Sequence, residues 1–226
     1  MKLLYLNPNS TASMTEAVVI AARAALADTA PGTEILGWTN AGAPPAIQGP
    51  EDGAAAVPGL LAQLPRARAE AVDAIVIACF DDTGLDEMRA AAHCPVLGIG
   101  QSAYAMAGLL GLRFSVVTTL AVSVPVIEGN IRRLGFAPGC ASVRASGLPV
   151  LAVDAGGPEV CARLTAEAEA ARRDDGAEAV VLGCAGMAHL HAALSETASL
   201  PLIDGVAASA RLALAAAQTV AGSARG

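Results

Sequence analysis

Short apolar runs alternate along the chain with longer stretches in which apolar positions recur every third or fourth residue. A run of about four to eight apolar residues has the length of a buried strand, and the longer recurrence is that of a helix with one apolar face. On this pattern strands are predicted at 2–6, 34–38, 74–79, 95–98, 114–118, 142–145, 177–183 and 200–203. Helices are predicted at 13–28, 54–71, 85–92, 101–110, 124–134, 158–173, 187–194 and 206–221, with Pro58 and Pro65 interrupting the second of them. Strands that alternate with helices imply parallel sheets covered on both faces, so the expected class is α/β.

The pattern also repeats. Glu70-Ala-Val-Asp-Ala-Ile-Val-Ile-Ala-Cys79 matches Asp175-Gly-Ala-Glu-Ala-Val-Val-Leu-Gly-Cys184, and each segment ends a predicted strand on a cysteine. Pro95-Val-Leu-Gly98 follows Cys79 at nearly the spacing at which Pro201-Leu-Ile-Asp204 follows Cys184. The strands that open the two halves correspond as well, one ending in Asn7-Pro8-Asn9-Ser10-Thr11 and the other in Thr118-Thr119. Two copies of a four-stranded α/β unit are expected, facing each other. Ligands of such sheets bind beyond the carboxyl ends of the strands, so one thiol is expected on each side of a shared cleft.

Composition narrows the function classes. Hydrophobic residues make up 54% of the 226 and charged residues 15%, so a packed core is expected and disorder is not. The net charge is −7 with no basic block, and aromatic residues are 3%, which speaks against nucleic-acid binding. Apolar stretches are broken before they reach about 18–20 residues, so no membrane span is expected, and Asn7-Pro8-Asn9 ends the apolar start too early for a signal peptide. The expected compartment is the cytoplasm. Five widely spaced cysteines (Cys79, Cys94, Cys140, Cys161 and Cys184) make a poor disulfide framework, and the expected state is free thiol.

Two thiols across a cleft suit the racemisation of a carbon next to a carbonyl. That reaction needs a base on one face and an acid on the other, with the roles exchanged for the opposite enantiomer. Helix starts are expected directly after each cysteine, where the dipole and free N–H groups favour a thiolate. Backbone N–H groups after Cys79 and Cys184, with Asn9, Ser10, Thr118 and Thr119, are candidate donors to the developing enolate. Plainer readings exist for each feature. A cysteine ending a buried strand is often a small core residue. Residues 7–11 also read as a turn with a helix cap, and Asp81-Asp82 as a charge pair at a helix start. His189 and His191 lack the spacing of a metal site and are placed on a partly exposed helix face. Gly98-Ile-Gly100 is only a fragment of a dinucleotide fingerprint.

Taken together, the residues resemble the aspartate/glutamate/hydantoin racemase superfamily, and within it the hydantoin and allantoin racemase branch. The resemblance spans essentially the whole chain. It rests on Asn7-Pro8-Asn9-Ser10-Thr11 with Met14-Thr15, on Ala78-Cys79-Phe80-Asp81-Asp82-Thr83-Gly84-Leu85, on Phe114-Ser115-Val116-Val117-Thr118-Thr119, and on Val181-Leu182-Gly183-Cys184-Ala185-Gly186-Met187. It implies two pseudo-symmetric Rossmann-like lobes, no pyridoxal phosphate or other cofactor, no metal, and Cys79 with Cys184 as the acid/base pair. It implies that the C-terminal helix completes the first lobe, giving lobe one at 1–98 plus 205–226 and lobe two at 99–204. Where the motif around the first cysteine is often written with Gly and Pro, this chain has Asp81 and Thr83. Phe80 and Ala185 follow the cysteines where acidic-amino-acid racemases carry Asn-Thr-type turns, which favours a ring substrate.

The expected substrate contacts are Asn9, Ser10, Phe80, Asp81, Thr118, Thr119, Gly183 and Ala185. The expected activity is racemisation of 5-substituted hydantoins at C5, with allantoin, a hydantoin bearing a ureido group, as the close alternative. An amino-acid racemase and a maleate-isomerase-like enzyme stand further off. Two cysteines argue against an arylmalonate decarboxylase, which keeps one. The non-enzyme alternative is a small-molecule-binding α/β protein. A homo-oligomer is expected.

Overall fold

The computed structural model of the protein describes residues 1–223; the predicted end of lobe one at 226 therefore lies outside the described residues. The first half runs β1 (Lys2–Asn7), α1 (Ala12–Leu26), β2 (Glu34–Thr39), α2 (Pro50–Leu61), α3 (Leu64–Ala69), β3 (Ala74–Ile77), α4 (Leu85–Ala91), β4 (Val96–Gly98) and α5 (Ile99–Leu109). The second runs β5 (Phe114–Thr118), α6 (Val124–Arg133), β6 (Cys140–Ala145), α7 (Val150–Ala155), α8 (Pro158–Asp175) and β7 (Ala179–Gly183). A 3-10 segment (Ala185–Leu190), α9 (His191–Ser195), β8 (Leu202–Asp204) and α10 (Gly205–Ser223) complete it.

All strand pairs are parallel and form two four-stranded sheets. Their orders are β2-β1-β3-β4 and β6-β5-β7-β8, one permutation used twice. In each sheet the chain leaves the first strand to one side and returns on the other. The topological switch point, where a crevice opens, therefore lies between β1 and β3 in one sheet and between β5 and β7 in the other.

Period-two alternation sorts the strands into three cores. Leu3 and Tyr5 of β1, Val76 of β3, Phe114 and Val116 of β5 and Val181 of β7 meet α1, α5 and α10 in one continuous core between the sheets. Leu4, Leu6, Ile75 and Ile77 point the other way, into a core closed by residues of α2, α3 and α4. Val117, Val180 and Leu182 do the same with residues of α7 and α8. The middle core is thus shared by the two sheets. Tyr5 sits wholly inside it, with its hydroxyl 3.0 Å from Ser209 Oγ of α10.

The two helices that end the halves cross over. α5 follows β4 yet packs on β7 and β8, while α10 follows β8 yet packs on β1, β3 and β4, and the two helices also pack on each other. Gly205 permits their close approach, since a Cβ there would stand 2.5 Å from the Ile99 carbonyl oxygen.

Several predicted boundaries move. The expected helix 54–71 is two helices: Pro58 is accommodated inside α2, and Pro65 sits in the first turn of α3, where a missing N–H is harmless. The expected strand 74–79 stops at Ile77, so Cys79 lies just beyond it. The expected helix 187–194 is a 3-10 segment followed by the short α9. α7 carries no pattern longer than two turns and was not anticipated. Among the described residues no helix is long and apolar enough to cross a membrane.

Candidate active site

The carboxyl ends of β1, β3, β5 and β7 converge on a small cavity of about 30 Å³. Its lining brings Cys79, Phe80 and Asp81 together with Thr118, Thr119, Gly183, Cys184 and Ala185, and adds Asn9 from the turn after β1. Seven of the eight expected contact residues are thus in one place, as are both cysteines. Ser10 is not part of this lining; its backbone N–H is turned to the Pro44 carbonyl oxygen. Met14, Ile47, Ala78, Ser123 and Val150 line the cavity without having been anticipated. Met14 was visible as part of the motif after β1. Ile47, Ser123 and Val150 come from loops or helix starts whose placement depends on tertiary packing.

Helix dipoles act less than expected on Cys79. α4 begins at Leu85, after a turn, rather than directly behind the cysteine. What reaches the Cys79 sulfur is the Asp81 backbone N–H and the Thr83 hydroxyl, with Thr83 Oγ1 donating to Sγ at 3.5 Å. Cys184 does stand at the start of the 3-10 segment, and the Gly186 N–H reaches its sulfur. These donors favour thiolate. Burial opposes it more strongly, with the Asp81 carboxyl adding to the opposition at both sulfurs. Cys79 is held far above the ordinary thiol range and Cys184 is pushed up to about 12, so burial favours the thiol over the thiolate at both positions.

The turn after β1 is organised around Asn7. Its amide nitrogen donates to Asn9 Oδ1 at 2.9 Å and to Thr15 Oγ1 at 3.0 Å, while the Thr11 N–H also binds Asn9 Oδ1 at 2.9 Å. The Asn9 carbonyl is therefore saturated. Its amide nitrogen meets only the weakly accepting Met14 sulfur at 3.4 Å, which leaves a donor on the cavity wall. Thr118 differs: its hydroxyl donates to the Gly183 carbonyl oxygen at 3.0 Å and ties β5 to β7 rather than pointing a proton at a ligand.

Asp82 does not serve α4 as a charge pair with Asp81. Its carboxyl is buried and accepts the Gly100 and Gln101 N–H groups at 2.9 and 2.8 Å, capping α5 from a distance. Gly98 and Gly100 exist in this context because a Cβ on Gly98 would lie 1.9 Å from Asp82 Oδ1, and one on Gly100 would lie 2.4 Å from the Phe80 carbonyl oxygen. The Gly-Ile-Gly fragment is a seat for this carboxylate and for the Cys79 turn. His189 is exposed and His191 half-buried against the Leu202 carbonyl. Among the described residues no group of three or more His, Cys, Asp or Glu side chains could hold a metal ion.

Burial raises Asp81 from 3.8 to about 7, against the opposing Ser123 hydroxyl, and Asp82 likewise from 3.8 to about 7, against the Gln101 and Gly100 N–H groups. Between these values the folded chain holds protons that the unfolded chain has released. The stability they contribute is present below about pH 4 and lost as the pH rises through about 7. Asp81→Asn is therefore expected to lose less of its thermal midpoint than the wild type between those two pH values. An equal or steeper loss would contradict the assignment.

Comparison with known proteins agrees with this geometry. Residues 3–213 match the family model described as Asp/Glu/Hydantoin racemase. The chain is 44% identical over 213 residues to a hydantoin racemase of Rhizobium meliloti, covering 94% of this chain and 87% of the relative. Among solved structures it is similar to an allantoin racemase from Klebsiella pneumoniae, with a TM-score of 0.88 and 38% identity over 95% of this chain and 86% of that one. It is similar to the same extent to an allantoin racemase from Pseudomonas fluorescens, with a TM-score of 0.88 and 34% identity over 97% and 92% of the two chains. The chain belongs to the Asp/Glu/hydantoin racemase family, and is a racemase.

Proposed function

We propose that this racemase inverts 5-substituted hydantoins at C5, with Cys79 and Cys184 as a two-base pair. The observation that supports this most is the placement of two thiols, from equivalent strand ends of two like-ordered sheets, on the wall of one cavity. The relatives named above act on hydantoins or on allantoin by their descriptions, which favours the same ring here.

In this mechanism one cysteine acts as thiolate and takes the C5 proton, and the other, as thiol, delivers its proton to the opposite face. The carbon electron pair rests meanwhile on the adjacent carbonyl oxygen as an enolate, for which the Asn9 amide is the best placed donor. After one turnover the two sulfurs have exchanged roles. The Thr83 hydroxyl and the Asp81 and Gly186 N–H groups hold the transient thiolates. The C5–H is already activated by its carbonyl, so the chain needs no cofactor in this reading.

The division into lobe one (1–98 plus 205–226) and lobe two (99–204) is part of the proposal, supported by the crossed packing of α5 and α10. So are a cytoplasmic, reducing location, supported by five free cysteines, and a homo-oligomeric state.

The test is polarimetry of single enantiomers of several hydantoins with purified protein, dialysed against chelator and free of added pyridoxal phosphate. Rotation is expected to decay to zero from either enantiomer. Racemisation of free aspartate or glutamate in place of hydantoins would overturn the reading. Cys94, Cys140 and Cys161 lie outside the cavity lining, so replacing each with Ala is expected to leave turnover within about twofold of wild type, a change no larger than a small shift of a remote group produces. A folded variant of any of the three that has lost catalysis would show the pair to be wrongly assigned.

A further inference from the structure

The cysteine cavity adjoins a wider, open depression of about 310 Å³ on the side of α2, α4 and α6. Only Ile47 and Asp81 belong to the linings of both. Anything that holds its reacting carbon between the thiols and extends outward into the depression therefore passes between an apolar side chain and a carboxyl group.

That carboxyl group is incompletely satisfied. The Ser123 hydroxyl faces it, but Asp81 Oδ2 is buried without a hydrogen-bond partner among the described residues. Its acidic neighbours are different. Asp82 is taken by two backbone N–H groups, and Asp86 by Arg133 at 2.7 Å. The Asp81 backbone is also fixed, since Asn130 Nδ2 of α6 donates to its carbonyl oxygen at 2.7 Å. A buried acceptor left without a donor is costly, and one met by a donor is favourable.

Resting on the proposed hydantoin reading, we propose that Asp81 sets substrate preference: its unpaired oxygen accepts an N–H from the 5-substituent, favouring hydantoins with a ureido or amide nitrogen next to C5 over those with hydrocarbon there. The hydrocarbon substituents remain accommodated by Ile47, but they leave Oδ2 unpartnered. A site built to bind an N–H discriminates strongly against an analogue without it, whereas apolar contact alone discriminates weakly.

The test compares two substituents of nearly equal shape. 5-Ureidohydantoin and 5-isobutylhydantoin differ chiefly in that one places N–H groups where the other places carbon. The readout is the ratio of their kcat/KM values, corrected for uncatalysed racemisation, because effects of Asp81 on the thiols that are common to both substrates cancel in it. The wild-type ratio is expected to favour the ureido compound. Measured above pH 7, where the Asp81 carboxyl is mostly ionised, Asp81→Ala is expected to lower that ratio by about tenfold or more, the size of one hydrogen bond to a charged acceptor. Asp81→Asn, which keeps a carbonyl acceptor of the same shape, is expected to fall between the two.

If Asp81→Ala turns over too slowly to follow, the same ratio is read from the concentration of each hydantoin that protects its thiols from alkylation, and the same change is expected. A ratio within twofold of wild type in Asp81→Ala would overturn the inference. So would an equal loss on both substrates, which would place Asp81 against the ring. Either result leaves the hydantoin reading standing, whereas a wild type inactive on every hydantoin would overturn both.

Discussion

Cys79→Ser and Cys184→Ser are each expected to lower the racemisation rate by roughly 10²–10⁴-fold, the usual worth of a positioned acid or base. Serine is nearly isosteric with cysteine, so the cavity wall is preserved. A hydroxyl is nonetheless a far weaker base near neutral pH, and either direction of the reaction uses both side chains. The Thr83 hydroxyl and Gly186 N–H that hold a thiolate would then face a neutral oxygen. Polarimetry on the two variants, with thermal midpoints measured alongside, checks this. A variant that racemises within tenfold of wild type would contradict the pair.

The second large effect is expected at Asp82. Asp82→Ala removes the acceptor of two N–H groups at the start of α5 and leaves them facing a buried space. It also leaves a non-glycine residue at φ +48 without the hydrogen bonds that hold it there. A loss of about 2–4 kcal/mol is expected, since each unsatisfied buried donor costs about 1–3 kcal/mol. In a chain of this size that corresponds to a fall in the unfolding midpoint of very roughly 5–15 °C. Asp82→Asn keeps one acceptor and is expected to lose about half as much. A midpoint of Asp82→Ala within two degrees of wild type would show that Asp82 does not support the turn carrying Cys79.

The parts of this fold that were legible in the sequence are those written in short periods. Buried strands such as Ala179–Gly183 declare themselves as unbroken apolar runs, and the repeat of one such run before Cys79 and before Cys184 exposed the twofold plan. The strand order, used twice, then brought the two cysteines and seven of the expected contact residues to one cavity. What could not be read depends on groups far apart in sequence. Asp82 looked like part of a local helix start, yet its partners lie beyond β4 at Gly100 and Gln101. Gly98 and Gly100 looked like a cofactor fragment because the carboxylate they make room for is invisible to spacing. Ser10 looked equivalent to Asn9, but the Asn7 network turns only the Asn9 side chain to the cavity. Ile47 sits in a Gly/Pro-rich loop with no periodicity. Its position follows from long-range contacts, among them the Ser10 N–H with the Pro44 carbonyl and the Val150 N–H with Gln48 Oε1.

The most direct test of the facing-thiol mechanism is proton exchange in deuterated water. In a two-base site each enantiomer presents its C5 hydrogen to only one sulfur. A variant with one cysteine left can therefore still abstract that hydrogen and return deuterium to the same face. Starting from single enantiomers of one hydantoin, and following C5 deuteration together with chirality, Cys79→Ser and Cys184→Ser are predicted to exchange opposite enantiomers, each without inversion. The wild type is predicted to place deuterium chiefly in the inverted product. Exchange of the same enantiomer by both variants would contradict the account.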